Sequence, residues 1–446
     1  MFIGKLLKSG DTRTALMKKN ILGSFLVKGW SGVVQLLLVP VTLGCLNKYE
    51  YGIWLTINAL LIWVDQFDIG LGNGLRNRLA EALALGDKAK GQILVSTTLV
   101  MLICIIVPLV FILSLVIQGL DCYKLLNVDS LQVPHLHGIL IASLAIVGGT
   151  FIFKFIGNVY LALQLPAINN LLIALGNTMS LLVVFVLSLI GDKSLLHVAI
   201  AYTLSPLLVY VFSYPITFTR YAYLRPSFRL FRKEELKGLL DMGVKFFMVQ
   251  IAGLVLFASS NLIISNMFSP AEVTPYQIAY RYLSLSVMVF TLIAAPLWSA
   301  STDAYAKNDW DWINGMMKKM RKVMLGFFVL LVLMTLISNF VYKIWVGESI
   351  KIDLLLSGAI AFYQFVLIYS TCYSNVLFGI GKIRIITIVT IAEAVIYIPL
   401  VILLGKACGT VGIVLALTIV NFACAVTNRI QFGKLASGTA TGIWDK

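Results

Sequence analysis

The sequence predicts an all-α membrane protein: about twelve transmembrane helices in two parallel six-helix lobes around a central cavity. Three observations carry that prediction. Of 446 residues, 59% are hydrophobic and 12% charged, roughly half the charged share of a soluble domain, and mean hydropathy is +0.93. The apolar residues come in continuous runs of roughly 20 or more, the length that spans hydrocarbon; residues 92–118 hold no charge. The 35 Lys and Arg are distributed between the runs in a one-sided pattern. In lipid the backbone must satisfy its own hydrogen bonds, and a helix does so within one segment. Continuous rather than alternating runs exclude a barrel.

In order, the runs place spans at 20–46, 50–70, 92–118, 137–163, 167–190, 195–219, 242–268, 274–302, 323–346, 353–380, 385–405 and 410–432. Turn chemistry separates them: Asn47-Lys48, Leu165-Pro166, Gly191-Asp192, Ser269-Pro270, Gly347-Glu348 and Gly381-Lys382. With the N-terminus inside, inside segments hold twenty-five Lys/Arg and outside loops five. Positive charge stays in the cytosol, so both termini are expected there. The first apolar run has no cleavage site behind it and reads as a signal anchor. The longest basic loop divides the chain. Residues 1–19 form a basic cytosolic arm, 20–219 the first lobe, 220–241 a basic cytosolic linker, 242–432 the second lobe and 433–446 a cytosolic tail. Two even-numbered halves point the same way through the membrane, related by an axis along its normal.

The formal net charge of +15 does not indicate nucleic acid, because the charges sit in short loops where the positive-inside rule accounts for them. The six cysteines include no C-x-x-C and imply neither a disulfide framework nor zinc. Gly70, Gly72 and Gly74 lack the strand before them and the Gly-Lys-Ser/Thr after them that a phosphate loop needs. They break the helix instead, and an amphipathic helix carrying Arg76, Arg78 and Glu81 is expected to start there. His135, His137 and His197 read as loop histidines. No residue pattern for catalysis or metal binding is present, and no cofactor is expected. Trp54, Tyr123, Tyr342 and Trp345 fit interfacial aromatic belts. Prolines 40, 108, 206, 296 and 399 are expected to bend their helices.

Charges inside spans carry more information, because each costs several kcal/mol unless it faces a cavity or a partner. Lys28 lies about 12 Å into span one at 1.5 Å per residue. Arg281 lies about seven residues into span eight from the outer side, cannot shed its proton, and offers a fork for phosphate. Together they suit a cationic track for an anionic substrate, with Lys154 and Lys245 as further candidates nearer the cytosol. Glu393, about eight residues into span eleven, is the best candidate for a coupling ion, either H⁺ or Na⁺. Asp65 is a second, either as ion ligand or as a counter-charge to Lys28 or Lys245.

The segment Asp68-Ile69-Gly70-Leu71-Gly72-Asn73-Gly74-Leu75-Arg76-Asn77-Arg78-Leu79-Ala80-Glu81-Ala82, followed by Leu85-Gly86-Asp87-Lys88, resembles the signature of the polysaccharide transporter family. That family includes the Wzx-type O-antigen flippases of the multidrug/oligosaccharidyl-lipid/polysaccharide exporter superfamily. Tyr49-Glu50-Tyr51-Gly52-Ile53-Trp54, Tyr276-Gln277-Ile278-Ala279-Tyr280-Arg281 and glycine-rich span twelve, from Gly409 to Asn421, agree with it. The resemblance implies translocation of an undecaprenyl-diphosphate-linked oligosaccharide across a bacterial inner membrane by alternating access between two lobes. The partners are then that substrate and membrane lipids, with glycan polymerase machinery beside them and the transporter a monomer.

Two other readings compete with this one, and the second belongs to another class. A multidrug antiporter of the same superfamily would favour an acidic cavity, against the excess of Lys and Arg within spans here. A membrane enzyme that joins polysaccharide repeats would need a large outer loop, and the longest here is about 18 residues.

Overall fold

The computed structural model describes residues 12–64, 71–236 and 259–445. Asp65, Asp68, Gly70 and Lys245 lie outside them. The described residues fold almost entirely into helices, with no strand among them. Eight of these helices are long and apolar enough to cross a membrane, nine with one bent pair counted as a span.

Contacts divide the chain into two units, residues 1–47 with 60–248 and residues 48–59 with 249–446. In the first, α1 (Thr12–Cys45) packs along α8 (Pro166–Leu189). Small polar side chains fasten the pair: Trp30 Nε1 donates to Thr178 at 3.0 Å and Asn177 Nδ2 to Ser31 at 3.1 Å. α2 (Lys48–Val64) leads to α3 (Leu71–Ala84), the expected amphipathic helix, but Gly72 and Gly74, expected to break the helix, lie within its first turn. Leu71, Leu75 and Leu79, one turn apart, are fully buried, while Arg76 and Arg78 face outward. Gly86 then turns the chain at φ +76, and the Asp87 carboxylate caps α4 (Lys88–Gly119) by accepting from the Lys90 N–H. A short helix α5 (Cys122–Leu126) precedes α6 (Leu136–Phe153) and α7 (Phe155–Ala162). α6 and α7 form the continuous run read as span four, interrupted at Lys154. α9 (Leu195–Arg220) closes the unit. The first part of the basic linker lies on α4, where Ser96 and Thr97 accept from the backbone N–H groups of Ser227 and Arg232, both at 3.1 Å.

The second unit holds α10 (Ser259–Met267), α11 (Pro270–Ala306), α12 (Trp310–Leu336), α13 (Ser338–Val346), α14 (Leu354–Ile380) and α15 (Arg384–Ala436). Span nine, read as one helix, is bent by 61° between α12 and α13. α15 runs 53 residues, about 80 Å if straight, far beyond a bilayer of about 30 Å. It is not straight: Gly409 is non-helical at φ +63, ψ −147. A side chain at Gly412 would collide with the Leu404 carbonyl, so the chain folds back there, as the separate spans eleven and twelve require.

Lys48–Ala59 groups with this second unit. Gly52 lets α2 approach the backbone of Pro270. Thr274 donates to the Lys48 carbonyl at 2.7 Å and Asn261 Nδ2 to the Leu55 carbonyl at 3.1 Å.

Two of the four residues assigned to aromatic belts are core instead. Trp54 is 1% and Tyr342 3% exposed; the Tyr342 hydroxyl meets Ser357 at 3.1 Å and its ring meets Tyr282 edge-on. Apolarity places an aromatic residue within a span but does not say which helix face is turned inward.

Candidate functional site

The second unit has a polar interior built by α2, α10, α11, α14 and α15. Ser259, Ser260 and Asn261 open α10 and are buried. Ser260 meets the Tyr397 hydroxyl at 3.1 Å, and Gln277 donates to Asn261 at 2.6 Å. Tyr276, Tyr280 and Tyr363 form a chain of rings, with centroids 5.9 and 6.4 Å apart. Among the described residues, the buried hydroxyls of Tyr51 and Tyr363 and the Nε2 of Gln364 meet no hydrogen-bond partner. Burying such groups costs free energy unless something pairs with them.

Arg281 and Glu393 act on tyrosines of this interior from two different helices. Arg281 is half-buried on α11, next to Tyr280, and its charge acts on the buried Tyr51. Glu393 is 5% exposed on the first limb of α15 and acts electrostatically on Tyr363. Its carboxylate accepts the backbone N–H of Cys424 at 3.0 Å. One turn beyond Cys424, Asn428 donates to Ser374 at 2.9 Å and to Ser370 at 3.4 Å, leaving its Oδ1 buried and unpartnered among the described residues. Two candidates separated by more than one hundred residues thus each act on a buried tyrosine of the same unit.

Lys28 and Lys154 belong to the first unit and are not joined in this way. Lys28 is exposed on α1, one turn before Ser31, and among the described residues no carboxylate lies within 4 Å of it. Lys154 is half-buried at the α6/α7 break, which the expectation of a continuous span did not include. The adjoining turns of α6 pack through Gly148 on α4 and Gly149 on α9. Asp65 and Lys245 fall outside the described residues.

Charges within spans are legible in the sequence, whereas the inward packing of the neutral polar groups, chiefly Tyr276, Tyr280, Tyr363, Tyr397, Gln364 and Asn428, is not. A signal for some of them was present: Ser259-Ser260-Asn261, Gln364 and Asn428 interrupt apolar runs, where a polar side chain is favourable only against a partner on a neighbouring helix.

A chain with eight or more helices able to cross a membrane, in two units and with charged and polar groups held inside one of them, has the build of a multi-pass membrane protein. The architecture matches solved transporters. An inward-facing multidrug resistance MATE family transporter of the MOP superfamily aligns with TM-score 0.76 at 16% identity, over 92% of this chain and 95% of that one. A MATE transporter in complex with MaD3S aligns with TM-score 0.62 at 17% identity, over 98% of each. The chain belongs to the family described as polysaccharide biosynthesis protein, which matches residues 17–299. Among curated proteins, one from Salmonella typhimurium (strain LT2) named for O-antigen transport is 22% identical over 64% of each chain, slightly under two thirds of that relative's length. One from Yersinia pseudotuberculosis named for O-antigen export is 21% identical over 79% of this chain and 80% of its own.

Proposed function

We propose that this protein is a flippase that moves a polyprenyl-diphosphate-linked oligosaccharide, an O-antigen or related surface-glycan repeat, across a bacterial inner membrane by alternating access. The observation that carries this reading is Arg281. A guanidinium held half-buried in a long apolar helix keeps its charge at any pH and suits a substrate that brings a concentrated anion through a low-dielectric region. Membership of the polysaccharide biosynthesis family and relatives named for O-antigen transport support the cargo class. Lys28 is the matching cation of the first unit, with Lys154 and Lys245 as secondary contacts. Glu393 is the coupling-ion residue, with H⁺ or Na⁺ as the ion; Asp65 is the alternative. Both termini are cytosolic, the protein acts as a monomer, and glycan polymerase machinery takes up the product.

The test is complementation. In a strain lacking the native gene, the wild-type chain restores surface glycan. Variants lacking the cations, present at normal membrane abundance, do not, and they accumulate the lipid-linked repeat on the cytosolic side. Transport of organic cations with no effect on glycan display would favour a multidrug antiporter instead.

A further inference from the structure

We propose that the first half of α12 and the last turns of α15, which the charge pattern places toward the cytosol, form a binding site for the phosphate headgroup of a lipid, built by Arg321 and Arg429 around Tyr369 and Tyr373. Three helices bring the parts together. Arg321 lies midway along α12, Tyr369 and Tyr373 one turn apart on α14, and Arg429 on the second limb of α15. The two tyrosine rings lie 5.1 Å apart, and Tyr373 packs edge-on against Phe432 of α15 at 5.7 Å. Asn428 ties the same turn of α15 to Ser370 and Ser374 of α14. This fixes the backbone on which Arg429 stands.

Tyr373 is 3% exposed, whereas both guanidiniums are exposed. Arg429 faces the Tyr369 hydroxyl, and the charges of both arginines act on Tyr373. Among the described residues, no carboxylate lies within 4 Å of either arginine. The same exposed side of α12 adds Lys318, Lys319 and Lys322, while Met317, Met320 and Met324 turn inward. Two forked cations thus act on one buried tyrosine beside an apolar floor, on the side of the membrane that the charge pattern assigns to the cytosol. Guanidinium forks pair with phosphate oxygens in bidentate geometry, and basic clusters next to a span attract anionic headgroups. An interfacial arginine that merely snorkels needs neither a second arginine nor a tyrosine in front of it.

The site rests on the transporter reading only for the membrane and its orientation, not for the cargo. A phosphate headgroup can come from a membrane phospholipid or from a polyprenyl diphosphate, and both have the chemistry the two forks require. The test uses the purified full chain in detergent micelles. Native mass spectrometry counts retained lipid against increasing phosphatidylglycerol, phosphatidylcholine or undecaprenyl diphosphate. The wild-type chain should retain at least one anionic lipid about tenfold better than phosphatidylcholine, the scale of one charged hydrogen-bond pair. The paired substitution Arg321→Ala/Arg429→Ala should abolish that preference. Arg321→Lys/Arg429→Lys should keep part of it and serves as readout if the alanine pair does not fold. Lys318→Ala/Lys319→Ala removes the same charge from the same surface and should leave most of it. Displacement of phosphatidylglycerol by undecaprenyl diphosphate identifies the cargo as the source; failure to displace identifies the phospholipid. The proposal is overturned if both arginine pairs keep the wild-type preference, or if the lysine pair loses as much. Because the readout is binding, it stands or fails independently of glycan display.

Discussion

The Glu393 carboxylate accepts the backbone N–H of Cys424 at 3.0 Å, across 31 residues of sequence. Along one straight helix these residues would be about 45 Å apart. The contact therefore marks the antiparallel fold of α15 on itself and buries the carboxylate against the limb that also carries Asn428. That position is the one the proposed function gives to the coupling ion.

Glu393→Gln should retain the Cys424 hydrogen bond through its carbonyl oxygen and so keep the fold, while losing the ionisable group. Transport that depends on a proton or sodium gradient should drop about tenfold or more, with membrane abundance unchanged. Vesicle transport assays with each gradient imposed separately provide the measurement. Unchanged ion dependence in this variant would move coupling to Asp65 or to the membrane potential.

Arg281→Ala should reduce surface glycan about tenfold or more, because a charged contact in a low-dielectric site is lost. Arg281→Lys should fall between the two, since the ammonium cannot form the bidentate pair. Lys28→Arg should be tolerated better than Lys28→Ala, because a point charge is the smaller demand. Glycan display is read against the abundance of each variant. Full display by both alanine variants would make these cations structural.

Single cysteines placed near Lys124 and Lys193 should react with an impermeant reagent from outside, and those near Arg229 and Lys318 only after permeabilisation. The expectation follows from the distribution of Lys and Arg. The reverse pattern at two or more of these positions would rule out the orientation and, with it, the cytosolic headgroup site.

Gly52→Ala should lower folded abundance, because its methyl group would overlap the Pro270 carbonyl oxygen, and backbone cannot give way as a flexible side chain can. A cost of about 1–3 kcal/mol is expected for such overpacking. Gly315→Ala, with open space around the new methyl group, is the matched control on α12. Equal thermal transitions for the two variants would mean that the α2–α11 approach is not tight.

The sequence by itself determined that the chain crosses a membrane many times as helices, because the length and continuity of apolar runs follow from bilayer thickness and backbone hydrogen bonding. It also singled out Arg281 and Glu393, because a charge within a span is expensive unless it faces a cavity or a partner. Tertiary structure alone decided which helix faces turn inward, since an all-apolar helix carries little directional signal. That is why Trp54 and Tyr342 moved from an expected belt to the core, and why the tyrosines between Arg281 and Glu393 went unnoticed. It also decided where helices break. Lys154 interrupts a run that reads as continuous, and the bend after α12 leaves no mark in composition. The proposed pairing of Arg321 with Arg429 is of the same kind: the two lie 108 residues apart, and only the packing of three helices lets the charges of both act on Tyr373.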